Sequence, residues 1–247
     1  MRLLITPAII FIGFFIVGLN NKDAKSPATI IHFATAAEYP PFEYKDHEVL
    51  KGFDIDLAEL IAHKMGKKAV FDNLPFSSIL PALNSRKVDA AISTITITEE
   101  RKNNFDFSHP YYFDGIAVVF RKKAPIHTLS QFAGKKLVAQ LGSTMEVWLK
   151  KHAADSAILV MDNNNQAIEA LKAGHVDAVL MDGEQGAIFT QKNPSFSYAI
   201  IAQSENGYGI ACPKNSPLTI EINNILSTLK ENGDIEKLKN KWLKNTE

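Results

Sequence analysis

The chain has 247 residues, 46% of them hydrophobic and 22% charged, and its 27 Lys and Arg residues balance its 27 Asp and Glu residues to a formal net charge of zero. This composition predicts one or two domains with a packed core and excludes wholesale disorder. The missing basic surplus argues against nucleic acid as a partner, and the single cysteine, Cys212, excludes an internal disulfide framework and a cysteine-rich metal site.

Residues 1–24 have the pattern of a secretory signal peptide. Arg2 is followed by an uncharged apolar stretch at 3–19 and then by a polar exit. As a helix this stretch extends about 26 Å, which is shorter than the ~30 Å hydrocarbon core of a membrane. We therefore predict a cleaved leader and export to the periplasm, with an uncleaved inner-membrane tether as the alternative.

From Ile30 onward, short runs rich in Val, Ile and Ala alternate with stretches of helical period, which predicts an α/β fold with mainly parallel strands. The predicted strands lie at 30–36, 88–94, 115–122, 135–140, 157–161, 176–182, 197–202 and 208–213. The predicted helices lie at 53–66, 76–85, 144–152 and 165–174, followed by two more near the end of the chain.

One internal repeat predicts two similarly built lobes. The pattern AL, four residues, then VDA occurs at 82–90 and again at 170–178. Asp89 and Asp177, within the two copies, are interpreted as structural turn or cap residues. Because open α/β sheets bind ligands beyond the carboxyl ends of their strands, the polar residues that follow both copies are expected to face one crevice.

The polar cluster after the first copy is STITITEER at 93–101. Ser93, Thr94 and Thr96 offer hydroxyl and backbone N–H groups, and Arg101 lies in a capped helix start. Because a guanidinium fork binds both oxygens of a carboxylate, the cluster predicts a carboxylate receptor. The alternative is that Arg101 is a surface partner of the two glutamates before it.

Three further groups qualify for the same crevice, each with an ordinary structural alternative. Thr144 begins a predicted helix after Gly142, which indicates either an anion-binding helix terminus or a generic turn. Asp182 ends an apolar strand, where a carboxylate either pairs with an ammonium group or caps a helix. Tyr39 and Phe76 lie in loop-like segments, where aromatic rings either stack on a ligand or pack in the core.

Enzyme and cofactor motifs are absent from the sequence. It contains no GxSxG, GxGxxG, Walker or HExxH motif, and its seven histidines show no pair at metal-ligand spacing beside a carboxylate. A Ser/His/Asp triad stays open, because its members meet only in space. We predict a non-enzyme with no catalytic residue, no cofactor and no metal.

Several segments together closely resemble the extracytoplasmic solute-binding proteins of polar amino acid ABC transporters. They are YPPFEY at 39–44, GFDIDLAELIA at 52–62, the segments 79–112, 135–144 and 167–182, and YGIACPKNSPL at 208–218. The resemblance implies a type II periplasmic binding protein fold, in which two lobes, each a mainly parallel sheet flanked by helices, are joined by a hinge of two chain crossings. It implies a discontinuous first lobe at 28–114 and 206–247 and a second lobe at 115–205. Such proteins are monomers that close on a free amino acid and dock on an inner-membrane permease.

The resemblance also implies roles for the candidate residues. Arg101 is expected to hold the ligand α-carboxylate with the backbone amides of Thr96 and Thr144, and Asp182 to hold the α-ammonium group. Four further residues are expected to line the ammonium end or to stack on the ligand side chain: Ser93, Thr94, Tyr39 and Phe76.

Two departures bear on the ligand. Ala36 stands where receptors for basic amino acids carry an acidic or amide residue, with Glu38 nearby as a substitute, and Gln140 stands where glutamine-binding relatives carry a lysine. We therefore expect arginine first, then lysine, histidine or glutamine. The alternatives are a cyclohexadienyl or arogenate dehydratase-like enzyme on the same scaffold, with Glu184 as candidate general acid, and a membrane-tethered amino acid sensor domain.

Overall fold

A computed structural model describes residues 29–204 and 206–243. The predicted leader at 1–24 lies outside the described residues. Within these two ranges, no helix has both the length and the apolar character needed to cross a membrane.

The described ranges contain thirteen strands, eight α-helices and one short 3₁₀ helix at Leu129–Phe132. The strands are β1 Thr29–Thr35, β2 Glu38–Tyr39, β3 Glu43–Asp46, β4 Val49–Lys51, β5 Lys67–Asn73, β6 Ala90–Ala91, β7 Phe105–Phe107, β8 Gly115–Arg121, β9 Lys136–Gln140, β10 Ala157–Met161, β11 Ala178–Asp182, β12 Phe196–Gln203 and β13 Ala211–Pro213. The helices are α1 Phe53–Lys64, α2 Phe76–Asn84, α3 Glu99–Lys102, α4 Thr144–His152, α5 Asn164–Ala173, α6 Gly183–Lys192, α7 Leu218–Glu231 and α8 Asp234–Trp242.

The strands form two five-stranded sheets of the same design and a small hairpin sheet, β2-β3-β4. Sheet 1 has the order β5-β1-β6-β13-β7 and sheet 2 the order β10-β9-β11-β8-β12. In each sheet three adjacent strands are parallel, and the fourth, β13 or β8, runs antiparallel to both neighbours. The predicted α/β fold of two mainly parallel sheets is thereby confirmed.

The reversed strand has the same origin in both sheets. The chain crosses from sheet 1 to sheet 2 between β7 and β8, and it returns between β12 and β13. Each reversed strand is the first strand after a crossing. It therefore starts at the edge where the parallel strands end, as the pairing of Asp182 at the end of β11 with Ile116 near the start of β8 illustrates.

Each sheet has its own apolar core. In sheet 1, Phe33 of β1 packs with Leu57 and Ile61 of α1, all fully buried. In sheet 2, Val118 of β8 packs with Leu137 of β9. The first six residues of β8 are all buried, which is typical of a strand covered on both faces.

The aspartates of the internal repeat hold the same position in the two sheets. The Asp89 side chain accepts a hydrogen bond from the backbone N–H of His32 at 2.8 Å, and that of Asp177 accepts one from the backbone N–H of Lys136 at 2.9 Å. The donor is in the first case in β1 and in the second in β9, which are the central parallel strands of their sheets. This geometry confirms the structural interpretation of both aspartates.

The strand predicted at 88–94 is much shorter than expected. Only Ala90–Ala91 forms a strand, and the chain then leaves the sheet in a turn where Thr94 has a φ of 45°. The reason is that the hydroxyl of Ser93 and the backbone N–H of Thr94 donate to two buried carboxylates, Glu43 and Asp54, instead of to a neighbouring strand.

Candidate functional site

A cavity lies between the two sheets. Its wall comes from both sheets: Tyr39, Phe76, Thr94, Thr96, Arg101, Gln140, Ser143, Thr144, Met145, Asn164, Leu180, Met181 and Asp182. The cavity therefore brings together seven of the nine candidate residues of the sequence.

Arg101 contributes the positive charge of the cavity. It lies in α3, whose first turn is capped by the Thr98 hydroxyl accepting from the Arg101 backbone N–H at 3.2 Å. The guanidinium donates to the backbone carbonyls of Thr96, at 2.7 Å, and of Gly142, at 3.0 Å. Loss of hydration on burial lowers the pKa of Arg101 to about 10.

The surface alternative for Arg101 is not observed. Glu99 instead pairs with Lys102 at 2.7 Å. Among residues 29–204 and 206–243, no carboxylate oxygen lies within ion-pair distance of the Arg101 guanidinium. The guanidinium donates to carbonyls on the two sides of the cavity, and Arg101 lines the cavity.

Asp182 contributes the negative charge. It lies at the end of β11 and precedes α6, but its side chain makes no capping hydrogen bond to that helix. Its carboxylate accepts a hydrogen bond from the Tyr39 hydroxyl, which in turn accepts one from the Asp182 backbone N–H at 3.2 Å. Burial, and next the negative charge of Asp114, raise the pKa of Asp182 to about 7.

Neutral donors surround Arg101 in the cavity. The hydroxyls of Thr96 and Thr144 lie 3.4 Å apart across the gap between the two sheets. Thr144 is the first residue of α4, and the side chain of Ser143 caps this helix by accepting from the backbone N–H of Glu146 at 3.3 Å. The amino end of α4 therefore adds partial positive charge beside the guanidinium.

Two predicted ligand residues lie behind the cavity wall. Ser93 is fully buried, and its hydroxyl donates to Glu43 at 2.6 Å while accepting from the backbone N–H of Ala36 at 3.1 Å. Glu38 accepts hydrogen bonds from the side-chain amides of Gln140, at 3.1 Å, and of Asn163. Neither Ser93 nor Glu38 is part of the cavity lining.

Glu38 nevertheless places a carboxyl group close to the cavity. Burial, and to a smaller extent the nearby charge of Asp162, raise the pKa of Glu38 to about 7, against the opposing effect of its hydrogen bond from Asn163. Gln140 lines the cavity and donates to Glu38, so it lies between the two.

Tyr39 and Phe76, the predicted stacking residues, lie on the same cavity. Tyr39 is 95% buried, since only 5% of its surface is exposed, and Phe76 is the half-buried first residue of α2. Both line the cavity.

The structure adds residues that the sequence did not single out as ligand residues. Gln140 ends β9 as Asp182 ends β11, so the rule that ligands bind at carboxyl ends of strands applies to it as well. Asn164, at the start of α5, is 2% exposed and donates to the buried Gln185 at 2.9 Å. Met145, Leu180 and Met181 complete the apolar wall.

Glu184, the candidate general acid of the dehydratase alternative, lies outside the cavity lining. Its carboxylate accepts from the Tyr112 hydroxyl at 2.8 Å, and its backbone N–H donates to Asp114 at 3.0 Å. These contacts place Glu184 beside the crossing from sheet 1 to sheet 2 and engage it there.

Residues 31–245 match the family described as bacterial extracellular solute-binding proteins, family 3. The arginine-binding extracellular protein ArtP of Bacillus subtilis (strain 168) is 32% identical over 245 residues, which cover 97% of this chain and 96% of ArtP.

Solved structures of arginine-binding proteins are also similar to this chain. An ancestral arginine-binding protein bound to arginine has 41% sequence identity and a TM-score of 0.84, covering 87% of this chain and 98% of that chain. An ancestral arginine-binding protein bound to glutamine also has 41% identity and a TM-score of 0.84, covering 88% of this chain and 99% of that chain.

Proposed function

The chain belongs to the bacterial extracellular solute-binding proteins of family 3, and on that premise we propose that its cavity binds a free polar or basic L-amino acid, arginine first. The protein is then the substrate-binding receptor of an ABC importer and delivers its ligand to a membrane permease. It is not an enzyme.

One observation carries this proposal. The cavity holds one desolvated cation, Arg101, which donates to two backbone carbonyls, and one desolvated carboxyl group, Asp182, which accepts from the Tyr39 hydroxyl; in the described residues the two form no ion pair with each other. A ligand α-carboxylate beside Arg101 and an α-ammonium group beside Asp182 supply the missing counter-charges. A zwitterion is the ligand class that satisfies both.

The charge around the cavity favours a ligand side chain that is itself cationic. Besides Asp182, the carboxyl groups of Glu38 and Asp114 also have raised pKa values, mainly because of burial. Against these groups the cavity offers one cation, Arg101, among its lining residues. A guanidinium or ammonium group on the ligand reduces this excess of buried acid, whereas an uncharged glutamine side chain leaves it in place.

The aromatic rings of Tyr39 and Phe76 provide flat apolar surface for the ligand side chain. A guanidinium stacked on an aromatic face gains about 0.5–2 kcal/mol. This preference places arginine before lysine, histidine and glutamine in our proposal.

The remaining parts of the proposal concern the whole chain. We infer lobes at 28–114 with 206–247 and at 115–205, a leader peptide at 1–24, a periplasmic location and a monomeric receptor. The two sheets with their two crossings support the lobe division.

The test is a thermal unfolding panel with the twenty amino acids, ornithine and citrulline. A ligand at 100 times its dissociation constant adds about 2.7 kcal/mol to the free energy of unfolding, and we expect the largest shift with arginine. The variants Arg101→Ala and Asp182→Ala are expected to lose the shift, while Lys102→Ala and Asp155→Ala, at exposed positions, keep it.

Two outcomes contradict the proposal. If no amino acid raises the unfolding temperature of the wild-type protein, the ligand class is wrong. If Arg101→Ala or Asp182→Ala binds arginine as tightly as the wild type, the role given to that residue is wrong.

A further inference from the structure

Two carboxyl groups that the ligand does not require are buried in the core behind the cavity. Glu43 of β3 is 1% exposed and Asp54 in the first turn of α1 is 0% exposed. The backbone N–H of Asp54 donates to the carbonyl of Phe42, the residue before Glu43, at 2.8 Å, and the two carboxyl groups bind the consecutive residues Thr94 and Ser93. Two buried carboxylates at such close range repel each other strongly, so this arrangement needs a physical explanation.

Each carboxyl group has one oxygen that is satisfied and one that is not. One oxygen of Glu43 accepts from the Ser93 hydroxyl at 2.6 Å, and one oxygen of Asp54 accepts from the Thr94 backbone N–H and the Tyr111 hydroxyl, both at 2.8 Å. The other oxygens, Oε2 of Glu43 and Oδ1 of Asp54, have no donor in the described part of the chain.

A single proton resolves both problems. If one carboxyl group is neutral, its O–H donates to the other, and the repulsion becomes a charge-assisted hydrogen bond. We propose that Glu43 and Asp54 share one proton, and that this acid–carboxylate pair is the positioning element that holds the Ser93–Thr94 turn against the ligand cavity.

The turn is the part of the wall that needs to be held. Thr94 lines the cavity and has a φ of 45°, a region that a β-branched residue rarely adopts. Asp54 fixes its backbone N–H, and Glu43 fixes Ser93. Through Ser93 the pair also reaches Ala36, in the loop that leads to Tyr39.

The surroundings of the pair favour retention of the proton. The groups that face it are the Tyr111 hydroxyl, from the chain crossing, and the Asp182 carboxyl, whose charge adds repulsion on Glu43. In residues 29–204 and 206–243, no Lys, Arg or His is within ion-pair distance of Glu43 or Asp54. Burial raises the pKa of both groups, that of Asp54 to about 7.

This inference rests on the proposed function only where it concerns the ligand, and the first test needs no ligand. In the unfolded chain both groups are ionised above about pH 5. Because the folded pair retains a proton, the stabilisation from that proton is lost as the pH rises through the folded pKa. Glu43→Gln replaces the shared proton by a permanent N–H donor.

The measurement is the unfolding temperature of the wild type and of Glu43→Gln, without ligand, from about pH 5 to about pH 9. We expect the two to be similar at the acid end and Glu43→Gln to be the more stable at the alkaline end. Glu38, Asp114 and Asp182 also have raised pKa values and titrate in both proteins. The effect of the Glu43–Asp54 pair is therefore the difference in unfolding temperature between the wild type and Glu43→Gln at the same pH. The surface variant Glu231→Gln is the matched control and should parallel the wild type.

A second pair of variants tests the positioning role with arginine as the probe. Asp54→Asn also keeps one N–H donor between the two side chains, so each single amide is expected to bind arginine within about threefold of the wild type. The double variant Glu43→Gln/Asp54→Asn has more buried N–H and O–H donors than acceptors, so it is expected to bind about tenfold more weakly or worse at every pH.

The outcomes are separable. Parallel profiles of the wild type and Glu43→Gln overturn the shared proton, and arginine affinity of the double variant equal to that of either single variant overturns the positioning role. If the wild type binds no amino acid, the proposed function fails, and the ligand-free profiles still decide the shared proton.

Discussion

The side chains of Asp182 and Arg101 carry the binding role that we propose, and burial changes the pKa of both. Asp182 has its pKa raised to about 7 and Arg101 has its pKa lowered to about 10, because each loses hydration and gains no counter-ion. In our proposal, a bound zwitterion supplies the missing counter-charges and offsets the cost of this desolvation.

The pKa of Asp182 predicts a pH dependence of binding. The ligand ammonium group pairs with the carboxylate form, so a proton must leave Asp182 when the ligand binds below about pH 7. The dissociation constant of arginine is therefore expected to rise by up to about tenfold for each pH unit below that value. Isothermal titration calorimetry from pH 8 downward measures it.

The contribution of Glu38 to the pH dependence must be distinguished from that of Asp182 in this experiment, because the pKa of Glu38 is also raised to about 7. In Glu38→Gln the dependence due to Asp182 should persist, whereas Asp182→Asn should bind weakly without it. A dissociation constant that stays constant between about pH 5 and pH 8 contradicts the predicted role of Asp182.

Single residues of the site were predictable where chemistry and topology coincide. Arg101 and Asp182 are charged residues at the carboxyl ends of predicted strands or just beyond, so one rule finds both. Asn164 and Met145 carry no such signal, because an amide or a thioether at a helix start is common. Ser93 shows the limit of the rule, since one residue of register decides whether a side chain faces the cavity or the core.

The same hydrogen-bond arrangement around an aspartate occurs once in each sheet. Asp89 and Asp177 each accept a backbone N–H bond from the central strand of their sheet, and the backbone N–H of each aspartate donates to the carbonyl of the same partner, His32 or Lys136. Each aspartate thus fixes the start of the strand that follows it, β6 or β11.

We expect Asp89→Ala and Asp177→Ala each to lower the free energy of unfolding by about 1 kcal/mol. Asp177→Ala should cost more, because Asp177 also contacts Arg121 at 3.5 Å. Because the two sites lie in different sheets, the double variant should equal the sum within about 0.5 kcal/mol. Urea unfolding measures these values with Asp155→Ala as control. A double variant whose free energy of unfolding is no lower than that of Asp177→Ala alone contradicts the prediction.

The sequence analysis missed the helix α6, Gly183–Lys192, and several strands. The missed strands are short or poorly buried. The strand β5 has no fully buried residue, and the hairpin β2-β3-β4 and the strand β7 consist of four residues or fewer each. Such segments show no hydrophobic period. The four helices of α1, α2, α4 and α5 were predicted within about two residues, because an amphipathic face persists over several turns.

At the scale of the whole molecule, the described conformation is closed across the cavity. Arg101 contacts Gly142, Ser77 donates to Asp162 at 3.2 Å, and Tyr39 contacts Asp182, each pair joining the two sheets. We predict that an amino acid enters the cavity only when these contacts open and the two sheets separate, with the two chain crossings as the segments about which they rotate.

A disulfide across the cleft tests this requirement. A Cβ atom at Gly142 would lie 3.6 Å from the Ser77 Cβ, within the distance range of disulfide bonds. The variant Ser77→Cys/Gly142→Cys, oxidised without ligand, is expected to exclude added arginine, and oxidised with arginine it should retain the ligand through dialysis. A reducing agent should reverse both effects. Gly142 has a φ of 77°, so some strain accompanies the substitution.

The native cysteine does not compete in this experiment, because Cys212 is fully buried and burial raises its pKa to about 11, which keeps it a thiol. The single variants Ser77→Cys and Gly142→Cys control for the substitutions themselves. If the oxidised double variant takes up arginine as fast as the reduced one, the ligand reaches the cavity without separation of the sheets. If, in contrast, one disulfide bond both excludes added arginine and retains bound arginine, the same separation of the sheets admits and releases the ligand.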